Sequence, residues 1–207
     1  DPAAHTMADT PAKPQLPGGQ NGRKVLQRDR TPHIFRPMDF RSVRVRNRIT
    51  MSPMCQYSAE NGAPGDWHFQ NLYSRAVGGA GIVFTESVAI EPRGLITPHC
   101  LGLWNDEQRD AYARIARAIH SAGAAPAIQL NHAGRKGAVG RPWEGGKPLS
   151  QNDGAWTLIA PSALAFGDGY QVPSALDAQM IAHMLDLYAV AARRARARRN
   201  GNPRLRL

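Results

Sequence analysis

Cysteine is scarce: only Cys55 and Cys100 occur in 207 residues. Two thiols are too few for a disulfide scaffold and fit a reducing compartment, the cytoplasm. Long apolar runs are missing as well. No stretch approaches the roughly 20 residues a membrane-spanning helix needs. The first segment, Asp1 to Gln20, has no apolar core of the kind a signal peptide carries. It is rich in Pro, Ala and Gly, and residues 1–31 read as a disordered leader. Internal repeats and zinc-ligand spacings are absent. His68, His99, Cys100 and His132 share no recognised metal spacing, so no metal site is expected. Acidic residues are outnumbered, 16 against 26 Lys and Arg, for a net charge of +10. The excess is confined to Arg41, Arg44, Arg46 and Arg48 and to the tail from Arg193 to Arg206, while the middle is mixed in sign. That distribution argues against a nucleic-acid partner. A basic-tail nucleic-acid binder stays as a second alternative, supported only by charge, which alone gives weak, salt-sensitive binding.

What is present is an alternation. Ile34 to Val45 reads as a small hairpin or cap. Arg48 to Met51 reads as a short buried strand stopped by Ser52 and Pro53, because proline cannot donate to a ladder. Asp66 is expected to cap a helix over about Trp67 to Val77, with Phe69, Leu72, Tyr73 and Ala76 on one face and Gly78 and Gly79 at its end. The continuous apolar run Gly81 to Thr85 predicts a strand buried on both faces. Asn105 caps a second helix reaching about Ala122, with Asp106 and Glu107 in its positive first turn and Tyr112, Ile115, Ile119 and Ala122 on its apolar face. Ala125 to Leu130 predicts a third strand. The loop Asn131 to Pro173 is too long for a plain connection and suggests function. A third helix begins near Asp177, with Ile181, Leu185, Tyr188 and Ala192 as its expected core stripe.

Strand and helix in strict alternation mean an α/β fold with a parallel sheet under covering helices. Periodicity does not separate an open doubly wound sheet from a (β/α) barrel. The glycine-rich phosphate fingerprint is absent after the first strand, where Ser52-Pro53-Met54-Cys55 stands, and this favours the barrel. Barrel sites lie at the C-terminal strand ends. Three unusual segments fall there: Ser52 to Tyr57, Glu86-Ser87, and Gln129 to Lys136. Each also has a plain reading. Cys55 could be a small buried hydrophobe. Trp67 and His68 could simply open a helix and pack. His132 and Arg135 could be surface loop residues. Gln129 inside an apolar strand is the most informative, since a buried amide needs partners. A flat heterocycle with donors and acceptors would supply them, and so would a neighbouring strand.

Asn47-Arg48-Ile49, Ser52 to Tyr57, Asp66-Trp67-His68, Gly78 to Gly81, Arg93 to Thr97, Leu103 to Asp106, Gln129 to Lys136 and Ala160 to Ala163 together resemble the old yellow enzyme family. The Cys-x-Tyr form at Cys55 and Tyr57 and the loop Arg141-Pro142-Trp143-Glu144-Gly145 look like its thermophilic-type branch, with the xenobiotic reductases. The match runs from about Pro32 to Arg196. It implies the N-terminal portion of an FMN-binding (β/α)8 TIM barrel, about three of eight βα units, over residues 32–196. By motif, Ser52, Pro53, Met54 and Cys55 would line the flavin ring, with Cys55 tuning its potential. Ser87 would face it with its backbone, Gln129 would bond its pyrimidine part, and Tyr57 would face the substrate. The implied activity is reduction of FMN by NADPH or NADH, followed by hydride delivery to the activated alkene of an α,β-unsaturated carbonyl. The implied partner is a small enone-type molecule, and full-length relatives can be homo-oligomers.

The resemblance dissolves near Arg196, and residues 197–207 look like an aberrant basic tail, as from out-of-frame translation. A complete barrel takes about 250 residues. The family's carbonyl-gripping pair and its phosphate-binding arginines would come later. A truncated, inactive and colourless remnant of the family is therefore the first alternative.

Overall fold

The computed structural model describes residues 30–197. The leader and tail expected at 1–31 and 197–207 lie, but for their innermost residues, outside this range. In chain order the elements are β1 (Met38–Phe40), β2 (Val43–Val45), β3 (Thr50–Met51), α1 (Asp66–Val77), β4 (Ile82–Ala89), β5 (Leu101–Gly102), α2 (Asp106–Ser121), β6 (Ala125–Asn131), β7 (Ile159–Ala160), β8 (Ser174–Ala175) and α3 (Ala178–Arg196).

The central sheet is parallel. β4 is its middle strand, with β6 along one edge and β3 and β5 sharing the other, β3 at its start and β5 at its end. The three strands expected from the sequence are thus neighbours of one direction, as βαβ connections require. β5 is an addition that two residues could not announce. β1 and β2 form the expected hairpin, pinned by an ion pair of 3.0 Å between Arg44 and Asp39. Arg46 donates to the carbonyls of Ala76, Ala80 and Ala122, at and just beyond the C-terminal ends of α1 and α2, where cations satisfy orphan acceptors. Arg48 donates to Met38 Sδ at 3.4 Å, so three of the four clustered arginines have structural partners.

Packing explains most of the helix pattern. Leu72 and Ala76 of α1, Val83 of β4 and Ile115 and Ile119 of α2 form one buried cluster. Val88, Leu101, Leu103, Tyr112, Ala116, Ile128 and Ala195 belong to a second. Asn105 caps α2 as expected, accepting from the Gln108 N–H at 2.8 Å. Asp177 caps α3 by accepting from the Met180 N–H at 2.7 Å.

Four expectations need correction. Asp66 is the first residue of α1 and not its cap. Gly65 holds that position, and its N–H donates to His68 Nδ1 at 3.1 Å. The strand at Arg48 to Met51 shortens to two residues, and Ile49 is exposed because β3 lies on the sheet's rim. β4 runs on to Ala89, four residues past its expected end. The stripe expected in α3 is covered only in its second half: Ile181 and Leu185 are exposed, Tyr188 and Ala192 are part-buried, and the deepest residues are Ala191 and Ala195. Small side chains let α3 approach α2 closely, and Arg194 fixes the contact through Asp106 at 3.3 Å.

Candidate functional site

The C-terminal strand ends bring the expected residues to one place. β3 ends at Met51 and delivers Ser52 to Tyr57. Ser87 lies near the end of β4 and pairs in register with Gln129 of β6. Val88 and Ile128 belong to the cluster under the helices, so their neighbours Ser87 and Gln129 turn to the other face of the sheet. Met54 is half exposed, and Pro53, Cys55 and Tyr57 are part-buried. Gln129 is exposed and not the buried amide expected. The apolar run around it is apolar toward the helices only, and Gln129 looks out on the face away from them.

A β-bulge shapes this rim. Between Phe84 and Ser87 the register with β6 slips by one residue. The slip carries the Glu86 side chain into the interior beside α1. There Glu86 Oε2 accepts the Gln56 N–H at 2.8 Å. His68 Nε2 approaches Glu86 Oε1 to 3.1 Å, with both side chains almost wholly buried. The two lack the alignment of a hydrogen bond, and neither atom has a hydrogen-bond partner among the described residues. A small cavity of about 10 Å³ borders Gln56, His68, Asn71 and Glu86.

Cys55 is held as a thiol. Burial, then the Glu86 charge, push its pKa up from 9.0 to about 11, against the opposing pull of the Ser87 N–H. Tyr57 is likewise raised, by burial and then by Cys55. Its backbone sits at φ 50°, a left-handed conformation that a bulky residue adopts only under constraint. Its ring packs on the cluster of Ala89, Leu95 and Cys100, and meets the exposed Trp143 edge-on at 5.9 Å.

A second ionic group flanks the rim. Glu91 Oε1 contacts His132 Nε2 at 3.1 Å, and Arg93 donates to both carboxylate oxygens. His132 Nδ1 accepts the Gly134 N–H, which fixes the ring. Burial tends to raise the Glu91 pKa, but the bonds from His132 and Arg93 together outweigh it and lower the value below 4.5. A depressed carboxylate stabilises the fold above its unfolded pKa, and that contribution disappears as pH falls through the folded value. Glu91→Gln should therefore lower the urea midpoint at pH 7, and the gap to the native chain should close as pH drops below 4.5. A gap that persists at low pH would contradict the ionic account.

A roomier cavity, about 540 Å³, lies apart from this rim, between the N-terminal ends of α1 and α2. Glu60, Asp66 and Glu107 line it, so its charge suits the helix dipoles and repels an anion. The convergent chemistry is at the strand ends and not there. Among the described residues no three His, Cys, Asp or Glu side chains gather around a metal position, and no helix is long and apolar enough to cross a membrane.

Sequence reasoning found Ser52 to Tyr57, Ser87 and Gln129, and the structure brings their segments to one end of the sheet. Reasoning missed the Glu86–His68 pair and the Glu91–His132 pair. The available signal for the first was a carboxylate directly after an apolar strand. For the second there was none, because 41 positions separate the partners.

Residues 33–200 match the NADH:flavin oxidoreductase / NADH oxidase family. The chain is 39% identical over 165 residues to an NADPH dehydrogenase of Listeria welshimeri, covering 79% of this chain and 44% of that one. It is 36% identical over 166 residues to an NADH:flavin oxidoreductase of Gibberella zeae, covering 78% and 40%. Among solved structures it resembles morphinone reductase with a TM-score of 0.64 at 28% identity, covering 79% of this chain and 45% of that one. It also resembles an old yellow enzyme homologue from Zymomonas mobilis with a TM-score of 0.63 at 30% identity, covering 79% and 45%. The chain thus spans less than half the length of these relatives.

Proposed function

Since the chain belongs to the NADH:flavin oxidoreductase / NADH oxidase family, whose old yellow enzyme members are TIM barrels, we propose that it forms the flavin-facing part of an FMN-dependent oxidoreductase of the cytoplasm. The proposed reaction takes reducing equivalents from NADPH or NADH and reduces the alkene of a small α,β-unsaturated carbonyl. The observation carrying this reading is the convergence of the Cys55 segment, Ser87 and Gln129 at the C-terminal ends of three parallel strands.

The residues fit the group. A flat, largely apolar ring with polar edges needs an apolar wall and an accessible amide, and Pro53, the exposed Met54 and the exposed Gln129 offer these. Bound FMN would supply hydride acceptance from the nicotinamide and hydride delivery to the alkene carbon. Ser52, Pro53 and Met54 would line the ring, the Ser87 backbone would face it, and the Gln129 amide would orient its pyrimidine edge. Cys55, held protonated by burial, would present a neutral thiol instead of a second negative charge. Tyr57 would face the substrate with its hydroxyl.

The test is the purified natural gene product. It should be yellow, should release FMN on denaturation and should oxidise NADPH in the presence of cyclohexenone. A colourless product that takes up no added FMN would overturn the reading. Gln129→Leu should weaken FMN binding by about tenfold, the value of one or two hydrogen bonds. Cys55→Ala should shift the flavin midpoint potential while leaving the denaturation midpoint nearly unchanged, because a half-buried thiol leaves little cavity. An unchanged potential would remove Cys55 from the ring.

A further inference from the structure

The Glu86 carboxylate is buried, charged and used by none of the roles above. Three observations surround it. The bulge between Phe84 and Ser87 points it inward, away from the face that carries Ser87 and Gln129. Its Oε2 accepts the N–H of Gln56, the residue between Cys55 and Tyr57. Tyr57, next along the chain, adopts a left-handed backbone that needs an outside constraint. A buried acceptor on a backbone N–H is such a constraint, because neither group can exchange its partner for water without exposing the other.

We propose that Glu86 is the positioning residue of the Cys55–Tyr57 turn: through the Gln56 N–H it fixes the backbone of the turn, and it sets a negative charge beside the Cys55 thiol. Cys55 and Tyr57 are thereby governed by one buried anion that touches neither substrate nor ring. The groups facing the thiol are Glu86 from β4, Tyr57 from the turn itself and Cys100 from the segment before β5. His68 of α1 faces Glu86 from the opposite side. Tyr112 of α2 also feels its charge, after burial. Glu86 and the Ser87 backbone, which acts on the same thiol in the opposite sense, are consecutive on the bulge, so one backbone irregularity sets both influences.

The experiment needs no flavin chemistry, so its failure and that of the proposed function are distinguishable. Alkylation of Cys55 by iodoacetamide is followed against pH by peptide mass mapping on the purified protein. Backbone amide exchange at Gln56 is followed in parallel. In native protein the Cys55 profile should rise only toward pH 11, and the Gln56 amide should be protected. Glu86→Gln keeps an acceptor oxygen and removes the charge. It should retain the protection and react at least roughly threefold faster at pH 9, the effect of half a pKa unit. Glu86→Ala removes both, so protection should be lost as well. Equal alkylation profiles in native and Glu86→Gln protein, or equal Gln56 exchange in native and Glu86→Ala protein, would overturn the proposal. Should both variants fail to fold, the native measurements still decide: an unprotected Gln56 amide, or a Cys55 profile rising near pH 9, would also overturn it.

Discussion

Tyr112→Ala should cost about 3–5 kcal/mol of stability, the usual loss when a buried aromatic ring is removed from a packed site. Tyr112 is only 1% exposed and joins α2 to Val88, Leu101, Ile128 and Ala195, so its ring ties β4, β5, β6 and α3 together. A domain of this kind has a total stability of about 5–15 kcal/mol, so this one change removes a large part of it. Tyr112→Phe should behave oppositely. The hydroxyl is buried without a hydrogen-bond partner among the described residues, so deleting it removes an uncompensated polar group and should be neutral or stabilising by up to about 1 kcal/mol. Urea denaturation followed by circular dichroism measures both. A Phe variant that loses more than about 1 kcal/mol would mean that the hydroxyl has a partner in solution.

The second large effect concerns Trp104. Its ring lies between two glycines, Gly62 and Gly102. A Cβ at Gly62 would fall 2.6 Å from Trp104 Cη2, and one at Gly102 would overlap the ring itself. Gly102→Ala should therefore displace Trp104 and cost about 1–3 kcal/mol, the range for overpacking a filled site. Gly62→Ala should cost at least as much, because its φ of 75° adds backbone strain for any residue with a Cβ. Trp104 packs on the cluster that also carries Tyr57, so both variants should alter the intrinsic fluorescence. A Gly102→Ala chain with native stability and an unchanged spectrum would refute this packing.

The alternation of elements was readable because each rests on local chemistry. Asn105 and Asp177 cap helices wherever they are met, and Gly123 at φ 80° closes α2 as glycine does elsewhere. Features that depend on which side of an element is covered were not readable. Ile181 and Leu185 make a better apolar stripe than Ala191 and Ala195, yet α3 docks by its alanines, because close approach is decided by small size and not by hydrophobicity. Gln129 looked buried because its neighbours are apolar, while a strand has two faces and only one meets the helices. Glu86 and Ser87 were expected just past the end of β4 and instead lie inside it, because a polar pair after an apolar run resembles a strand end. The candidate site residues came from a family pattern, whereas the buried carboxylate behind them required coordinates.

The slip in β4 also means that the strand has two countings. Before it, odd-numbered Val83 turns toward the helices; after it, even-numbered Val88 does. Chain length between Phe84 and Ser87 therefore matters more than what occupies it. Deleting one residue there would merge the two countings into one alternation: Val88 would keep its place beside Tyr112 and Ser87 its place opposite Gln129, but the two consecutive inward residues, Thr85 and Glu86, would become one. A substitution at Thr85 alters one side chain, but a one-residue deletion beside it straightens the strand and abolishes the bulge. The spacing of this rim is thus held as an integer, which no adjustment of side-chain size can restore.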